Sequence, residues 1–181
     1  MDYFKKLREL LKTERETDRQ LYQELAEKAS VNERRENGLT WYPVAIRDTE
    51  LTRGDYLTVE VERTTHHDIV SQFRTGATAA LFSNHNAKEH RVEGIVSFQS
   101  GNRMKITLRT DELPEWSRNG KLGVDLLFDD NSYEEMFSAL TRAAALGEKD
   151  NAEGKLVKIL TGQLSPTFNT HHQPVEVPAL N

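Results

Sequence analysis

Cysteine is absent from the 181 residues, which excludes disulfides, thiolate zinc sites and cysteine nucleophiles and fits a reducing compartment. No apolar run approaches the ~18 residues of a membrane span, and no charged-then-apolar leader opens the chain. A soluble, cytoplasmic protein without a membrane partner is the expectation. Glycine is present only as isolated punctuation. The glycine-rich turn ending in Lys and Ser/Thr that cradles nucleotide phosphates and holds magnesium is therefore missing. No serine stands in a nucleophile elbow, and no carboxylate pair has a spacing that specifies acid–base work. Catalytic residues and a bound cofactor are accordingly not expected in this chain. Positive charge is in deficit, 24 Lys/Arg against 29 Asp/Glu: the net charge of −5 argues against whole-surface attraction to phosphate backbones, so any nucleic-acid site must be local.

What is present begins with a helix. From Tyr3 to Ala29 there is no Gly or Pro, and Phe4, Leu7, Leu11, Leu21, Leu25 and Ala29 recur at helical spacings. At 1.5 Å per residue such a helix reaches about 40 Å, long enough to project as a stalk. Met1 to Asn37 carries nine Lys/Arg against nine Asp/Glu, and a solvated helix laced with pairs such as Glu24 to Lys28 accounts for that balance. Asn37-Gly38 tolerates positive φ and ends the helical region.

A β-rich stretch follows. Strands are expected at Leu39 to Ile46, Tyr56 to Arg63, Thr78 to Ser83, Val92 to Gln99, Arg103 to Arg109 and Gly123 to Phe128. Turns at Arg53-Gly54-Asp55, Ser83 to Asn86 and Ser100-Gly101-Asn102 separate them, and the last joins two alternating runs as a hairpin. Short strands at this spacing favour a small closed barrel. A second helix is expected to open at Ser132, where Ser132-Tyr133-Glu134-Glu135 has capping-box spacing, with Tyr133, Met136, Phe137, Leu140 and Ala144 on one face. A polar break at Gly147 to Gly154, a helical turn at Lys155 to Leu160 and a proline-bearing tail complete the chain.

Several groups raise the question of a metal. His66-His67-Asp68, His85 with His90, and His171-His172 lack a second ligand pair at helical spacing, so ordinary surface histidines explain them. Asp125, Asp129 and Asp130 precede a helix, where carboxylates serve as caps and dipole partners. No metal site is assigned.

One stretch reverses the overall charge. Between Lys88 and Lys121, seven cations (Lys88, Arg91, Arg103, Lys105, Arg109, Arg118, Lys121) stand against five carboxylates. Strand alternation puts Arg103, Lys105 and Arg109 on one face and Met104, Ile106 and Leu108 on the other. A basic strand face with Trp116 for stacking, supplemented by Arg118 and Lys121, suits a barrel that tracks single-stranded nucleic acid. A solvated outer face with a half-buried tryptophan fits the same residues, and the pattern alone leaves both open.

A set of segments adds a resemblance: Tyr3-Phe4-Lys5-Lys6-Leu7, Asn37 to Pro43, Arg53-Gly54-Asp55-Tyr56, Phe82-Ser83-Asn84-His85, Glu93-Gly94 and Gly123 to Tyr133. Through them the chain resembles the N-terminal part of superfamily 1 helicases of the nonsense-mediated-decay and immunoglobulin-mu-binding type, and especially bacterial putative DNA helicases of that group. The resemblance implies a long helix leading into a β-barrel, a returning helix that completes a two-helix stalk, and an ATPase motor beyond Leu180-Asn181. ATP and magnesium would belong to that motor, because the adenine-reading glutamine, the phosphate loop and the later helicase motifs are absent here.

The expected architecture is thus α+β, a small antiparallel barrel carried on a stalk of two antiparallel helices. Its parts would be a stalk helix at 1–37, the barrel at 38–130, a returning helix and helical turn at 131–161, and a connector at 162–181 toward the motor domains. The expected function is an accessory nucleic-acid-binding module using Arg103, Lys105, Arg109, Trp116, Arg118 and Lys121, with single-stranded nucleic acid and the motor as partners. The alternative is a protein-interaction or regulatory domain that docks a partner or restrains the motor.

Overall fold

Six antiparallel strands, β1 (Thr40–Leu51), β2 (Leu57–Arg63), β3 (Thr78–Ser83), β4 (Arg91–Ser100), β5 (Arg103–Leu108) and β6 (Leu122–Leu126), close into a barrel in the order β1-β2-β5-β4-β3-β6. The structure is a computed structural model that describes residues 3–168. Helices α1 (Tyr3–Tyr22) and α2 (Val31–Glu36) precede the barrel, and α3 (Asp130–Gly147) and α4 (Ala152–Leu160) follow it. The α+β class and the helix, barrel, helix order read from the sequence are both present. Residues 13–133 form one compact unit, and residues 3–12 with the described residues from Glu134 onward form another. Residues 169–181, which include most of the expected connector, His171-His172 and Leu180-Asn181, lie outside the described residues.

Alternation along the strands builds the core. Met104, Ile106 and Leu108 of β5 point inward, where they meet Val59, Val61, Leu81, Val96 and Val124, all fully buried. Closure gives each of the six strands two paired neighbours, so none lies at a sheet edge. The Ser100-Gly101-Asn102 hairpin forms as expected, with Gly101 at a φ of 55°. β1 runs five residues past its expected end at Ile46, through a bulge between Ile46 and Asp48. The polar run Arg47-Asp48-Thr49-Glu50 hides this extension, because beyond the bulge β1 pairs only with β2 and its side chains face solvent.

Residues 64–77 cross one end of the barrel without forming a strand, and the buried Phe73 seals it. Trp41 holds this excursion, donating its indole N–H to Ser71 Oγ at 2.9 Å and meeting Phe73 edge-on. The Arg63 guanidinium lies over the Trp41 ring at 4.6 Å and donates to the Ile69 carbonyl and Asn102 Oδ1. Burial pushes this guanidinium below its usual value.

Two local expectations are corrected. The helix expected over Tyr3 to Ala29 is α-helical only to Tyr22; a π-helical turn at Gln23–Glu27 follows, where Lys28 N–H donates to the Gln23 carbonyl at 3.0 Å. Ser30 then caps a new helix: its side chain accepts from Glu33 N–H at 3.3 Å, and Glu33 accepts from Ser30 N–H at 2.7 Å. A complete capping box starts α2 rather than letting α1 continue. The second correction concerns Ser132, which does not cap α3. Asp129 takes that role, accepting from Ser132 N–H at 3.1 Å and from Ser132 Oγ at 2.6 Å. A full negative charge satisfies the exposed amide and the helix dipole better than a hydroxyl three residues on.

Within the larger unit, the second half of α1 grips the start of α3. Asp130 pairs with Arg19 and Arg15, each at 2.8 Å, which hold its carboxyl below the usual carboxylate range. Phe128 stacks on Tyr133 beneath Arg19. Tyr133 donates to Asp18. In the smaller unit, Phe4 and Leu7 of α1 share an apolar cleft with Ala143 of α3 and Val157 of α4.

Gly94 passes against the Thr107 carbonyl, and a Cβ there would also sit 2.9 Å from Leu108 Cα, whereas a Cβ at Gly101 meets nothing within 4 Å. Gly94→Ala is expected to cost about 2–3 kcal/mol by overpacking, while Gly101→Ala costs about 1 kcal/mol through its left-handed backbone. Urea unfolding of the two variants distinguishes these values. The Asp18 hydrogen bond, reinforced by burial, pushes the Tyr133 phenol up to about 12. Since the unfolded phenol ionises near its ordinary value of about 10, this stabilisation is intact below pH 10 and is lost as pH rises toward 12. Stability should consequently fall more steeply between pH 10 and 12 in the parent protein than in Tyr133→Phe.

Candidate nucleic-acid interface

The register divides the expected site residues between two places. Arg103 faces Ser100 and Glu62 at one end of the barrel, and Lys105 follows beside Phe98 and Glu60. Trp116, Arg118 and Lys121 belong to the segment joining β5 to β6 at the opposite end, and Arg109 lies just past the end of β5 on that side. There a short 3-10 turn (Glu115–Arg118) packs beside the β3–β4 loop. Asn84 N–H donates to the Lys121 carbonyl at 3.0 Å, Lys121 N–H donates to Asn84 Oδ1 at 2.8 Å, and Ser83 Oγ donates to the Asn119 carbonyl at 2.6 Å. The two loops therefore form one rim.

Charge differs between the two places. On the outer face of β5, Arg103 meets Glu60 at 3.1 Å, and Lys105 meets Glu50 at 3.3 Å. Neighbouring Arg47 is held by Glu62 at 2.7 Å, which also keeps the Glu62 carboxyl below its usual range. Across β1, β2 and β5, three cations (Arg47, Arg103, Lys105) stand among four carboxylates (Asp48, Glu50, Glu60, Glu62). That face carries no positive excess. Arg109 is likewise paired with Glu93, at 3.5 Å.

The rim cations stand apart. Among the described residues, no carboxylate lies within 4.0 Å of Lys88, Arg91, Arg118 or Lys121. Trp116 is half-buried and stacks on His90 with centroids 5.9 Å apart and planes 4° from parallel. A tryptophan braced from behind by the core and a histidine, with unpaired cations on both adjoining loops, can hold a base and its flanking phosphates. Lys88, Arg91 and His90 were outside the expected site set. Lys88 and Arg91 belong to the local charge excess, while the meeting of His90 with Trp116 depends on loop packing.

Behind this rim lies a cleft of 340 Å³ between the 22–34 segment and the barrel, lined by Tyr22, Glu27, Arg34, Lys88, Arg91 and Asp125 among others. Its floor is a buried network. Arg34 donates to both oxygens of Asp125 at 3.2 and 3.3 Å and to the Ala29 carbonyl at 2.9 Å, and Thr40 donates to Asp125 as well. Tyr22 donates to the Leu126 carbonyl at 3.1 Å. Burial, with the charges of Asp125 and Glu27, raises the Tyr22 phenol above its ordinary value, and Arg91 and Arg34 oppose that shift.

The carboxylates considered for a metal have other employment. Asp125 binds Arg34, Asp129 caps α3, and Asp130 pairs with Arg15 and Arg19. His66 Nδ1 shares a hydrogen bond with Thr65, His67 Nε2 with the Arg63 carbonyl. Among the described residues no three His, Asp or Glu side chains converge as a metal site, and no described helix is long and apolar enough to cross a membrane. Arg53-Gly54-Asp55 is the turn between β1 and β2, as its composition predicts.

No protein-family model matches the chain, and no curated protein matches it.

The Arg34–Asp125 pair is largely buried, with side-chain exposures of 14% and 13%. Arg34→Met is expected to destabilise by about 3 kcal/mol, because it leaves a buried carboxylate without its cation. Arg34→Met/Asp125→Asn should recover part of that loss, read by urea unfolding.

Proposed function

We propose that the chain is an accessory nucleic-acid-binding module of an ATP-dependent helicase, and that single-stranded nucleic acid meets the barrel at the rim formed by residues 84–90 and 109–121. One observation carries this reading: among the described residues, Lys88, Arg118 and Lys121 have no carboxylate partner and stand on the two loops whose packing stacks His90 on a half-exposed Trp116. The outer face of β5 contributes less, since the charges of Arg103 and Lys105 are already compensated. The helicase assignment is supported by the segments resembling that family and by the helix, barrel, helix order. On this reading ATP and magnesium are bound by the motor domains, and the barrel supplies one wall of the strand channel.

A second reading is favoured by a separate observation. Ile95 and Phe98 on the outer face of β4 are 39% and 49% exposed, beside the charge-compensated ladder of β5. An apolar pair within a neutral polar surround has the anatomy of a protein contact. On that reading the barrel docks a protein partner or restrains the motor.

Fluorescence anisotropy with labelled single strands separates the two. Contact with about three phosphates gives a log affinity that falls with log salt at a slope near −2. Arg118→Ala/Lys121→Ala should shrink that slope by roughly 1.4 and weaken binding, while Arg103→Ala/Lys105→Ala leaves it nearly unchanged. Absence of salt-sensitive binding at low salt, or loss only in the β5 variant, sinks the rim assignment.

A further inference from the structure

We infer that the 340 Å³ cleft between the 22–34 segment and the barrel is a binding subsite for a single phosphate group, with Arg91 and Lys88 as its contacts and Glu27 as an internal competitor. It goes beyond the rim, since of the residues lining it only Ala87, Lys88 and the adjoining Arg91 lie on or beside the rim loops.

The charges on the cleft wall decide its preference. Arg34 and Asp125 neutralise one another in bidentate geometry and are anchored further by Thr40 and the Ala29 carbonyl. They form a floor rather than a binding group. Of the remaining charged groups, Arg91 and Lys88 are cations without a carboxylate within 4.0 Å, and Glu27 is the single uncompensated anion. One positive charge is left over in a concavity of the size that takes small ligands, roughly 300 Å³ and upward.

Position strengthens the preference. Arg91 is half-buried where β4 begins, so its charge is less screened than those of the exposed Lys88, Arg118 and Lys121. The Tyr22 hydroxyl lines the same cleft, and the charges of Asp125, Glu27, Arg91 and Arg34 all act on it. A guanidinium presents a planar fork of donors that matches a tetrahedral oxyanion, and an ammonium beside it adds a mobile point charge. The shared chemistry is a phosphate monoester or diester; a small phosphorylated molecule and a nucleic-acid backbone are its two sources.

The test is an amide-resolved NMR titration of the full chain with inorganic phosphate, adenosine 5′-monophosphate and oligothymidylate in turn. Phosphate should move the amides of Tyr22, Lys88 and Arg91, and Arg91→Ala should weaken its binding about tenfold. Glu27→Gln should tighten binding about twofold to fivefold, which a purely structural role for Glu27 would not do. Tighter binding of the monophosphate identifies a small ester as the source, and displacement of phosphate by oligothymidylate identifies a strand. Arg118→Ala/Lys121→Ala should suppress oligothymidylate binding while leaving the phosphate response intact, so failure at the rim and failure at the cleft are told apart. Amides that stay in place under high phosphate, or a folded Glu27→Gln protein with unchanged or weaker affinity, overturn the assignment.

Discussion

Closure of the barrel is the constraint from which the other features follow, and it is completed where β6 returns to β1. At that seam Thr40 lies opposite Asp125 and Trp41 opposite Val124, and Arg34 reaches in to bind Asp125. A buried carboxylate carries a desolvation penalty of several kcal/mol, which the seam offsets only because a guanidinium and a hydroxyl both reach it. The demand runs in both directions. Asp125 requires Arg34, and Arg34 reaches it from α2, which Ser30 caps and which does not continue the register of α1. The break in the helix and the closure of the barrel are thus one arrangement.

Closure also determines which charges are free. The order β1-β2-β5-β4-β3-β6 brings β2 beside β5, although more than forty residues separate Glu60 from Arg103. A strand face that reads as basic along β5 alone becomes neutral once β2 supplies Glu60 and Glu62. Loops at the barrel end have no partner strand imposed on them. Lys88, Arg118 and Lys121, placed there, form no ion pair among the described residues, although Glu89, Asp111, Glu112 and Glu115 balance the net charge of the two loops.

Features governed by neighbours in sequence were legible before the structure. Alternation along Arg103 to Leu108 marked the inward Met104, Ile106 and Leu108, and Ser100-Gly101-Asn102 marked the hairpin, because one turn and one pleat decide each. Features governed by competition or by distant pairing were not. Ser132-Tyr133-Glu134-Glu135 and Ser30-Val31-Asn32-Glu33 have the same capping spacing, yet only the second forms a box, since Asp129 precedes the first and takes its amide. The continuation of β1 to Leu51 was hidden because its outer residues need only pair with β2, not fill a core. In the candidate site, Trp116, Arg118 and Lys121 were visible as residue types, but the association of Trp116 with His90 arises from loop packing that no local pattern encodes.

The seam and the rim are adjacent yet obey opposite requirements. At the seam the charges of Arg34 and Asp125 must be compensated, because both side chains are largely buried and an unpaired ion there carries a large desolvation penalty. At the rim and in the cleft, uncompensated cations are tolerated because solvent reaches Lys88, Arg118 and Lys121 and screens them. Arg91 lies between these regimes: it is half-buried, lines the same cleft as Tyr22 and Asp125, and has no ion-pair partner among the described residues. A cation in that position is not required by the fold, whose seam is already satisfied by Arg34. Its unneutralised charge is better explained by an anion from outside the chain than by any group within it.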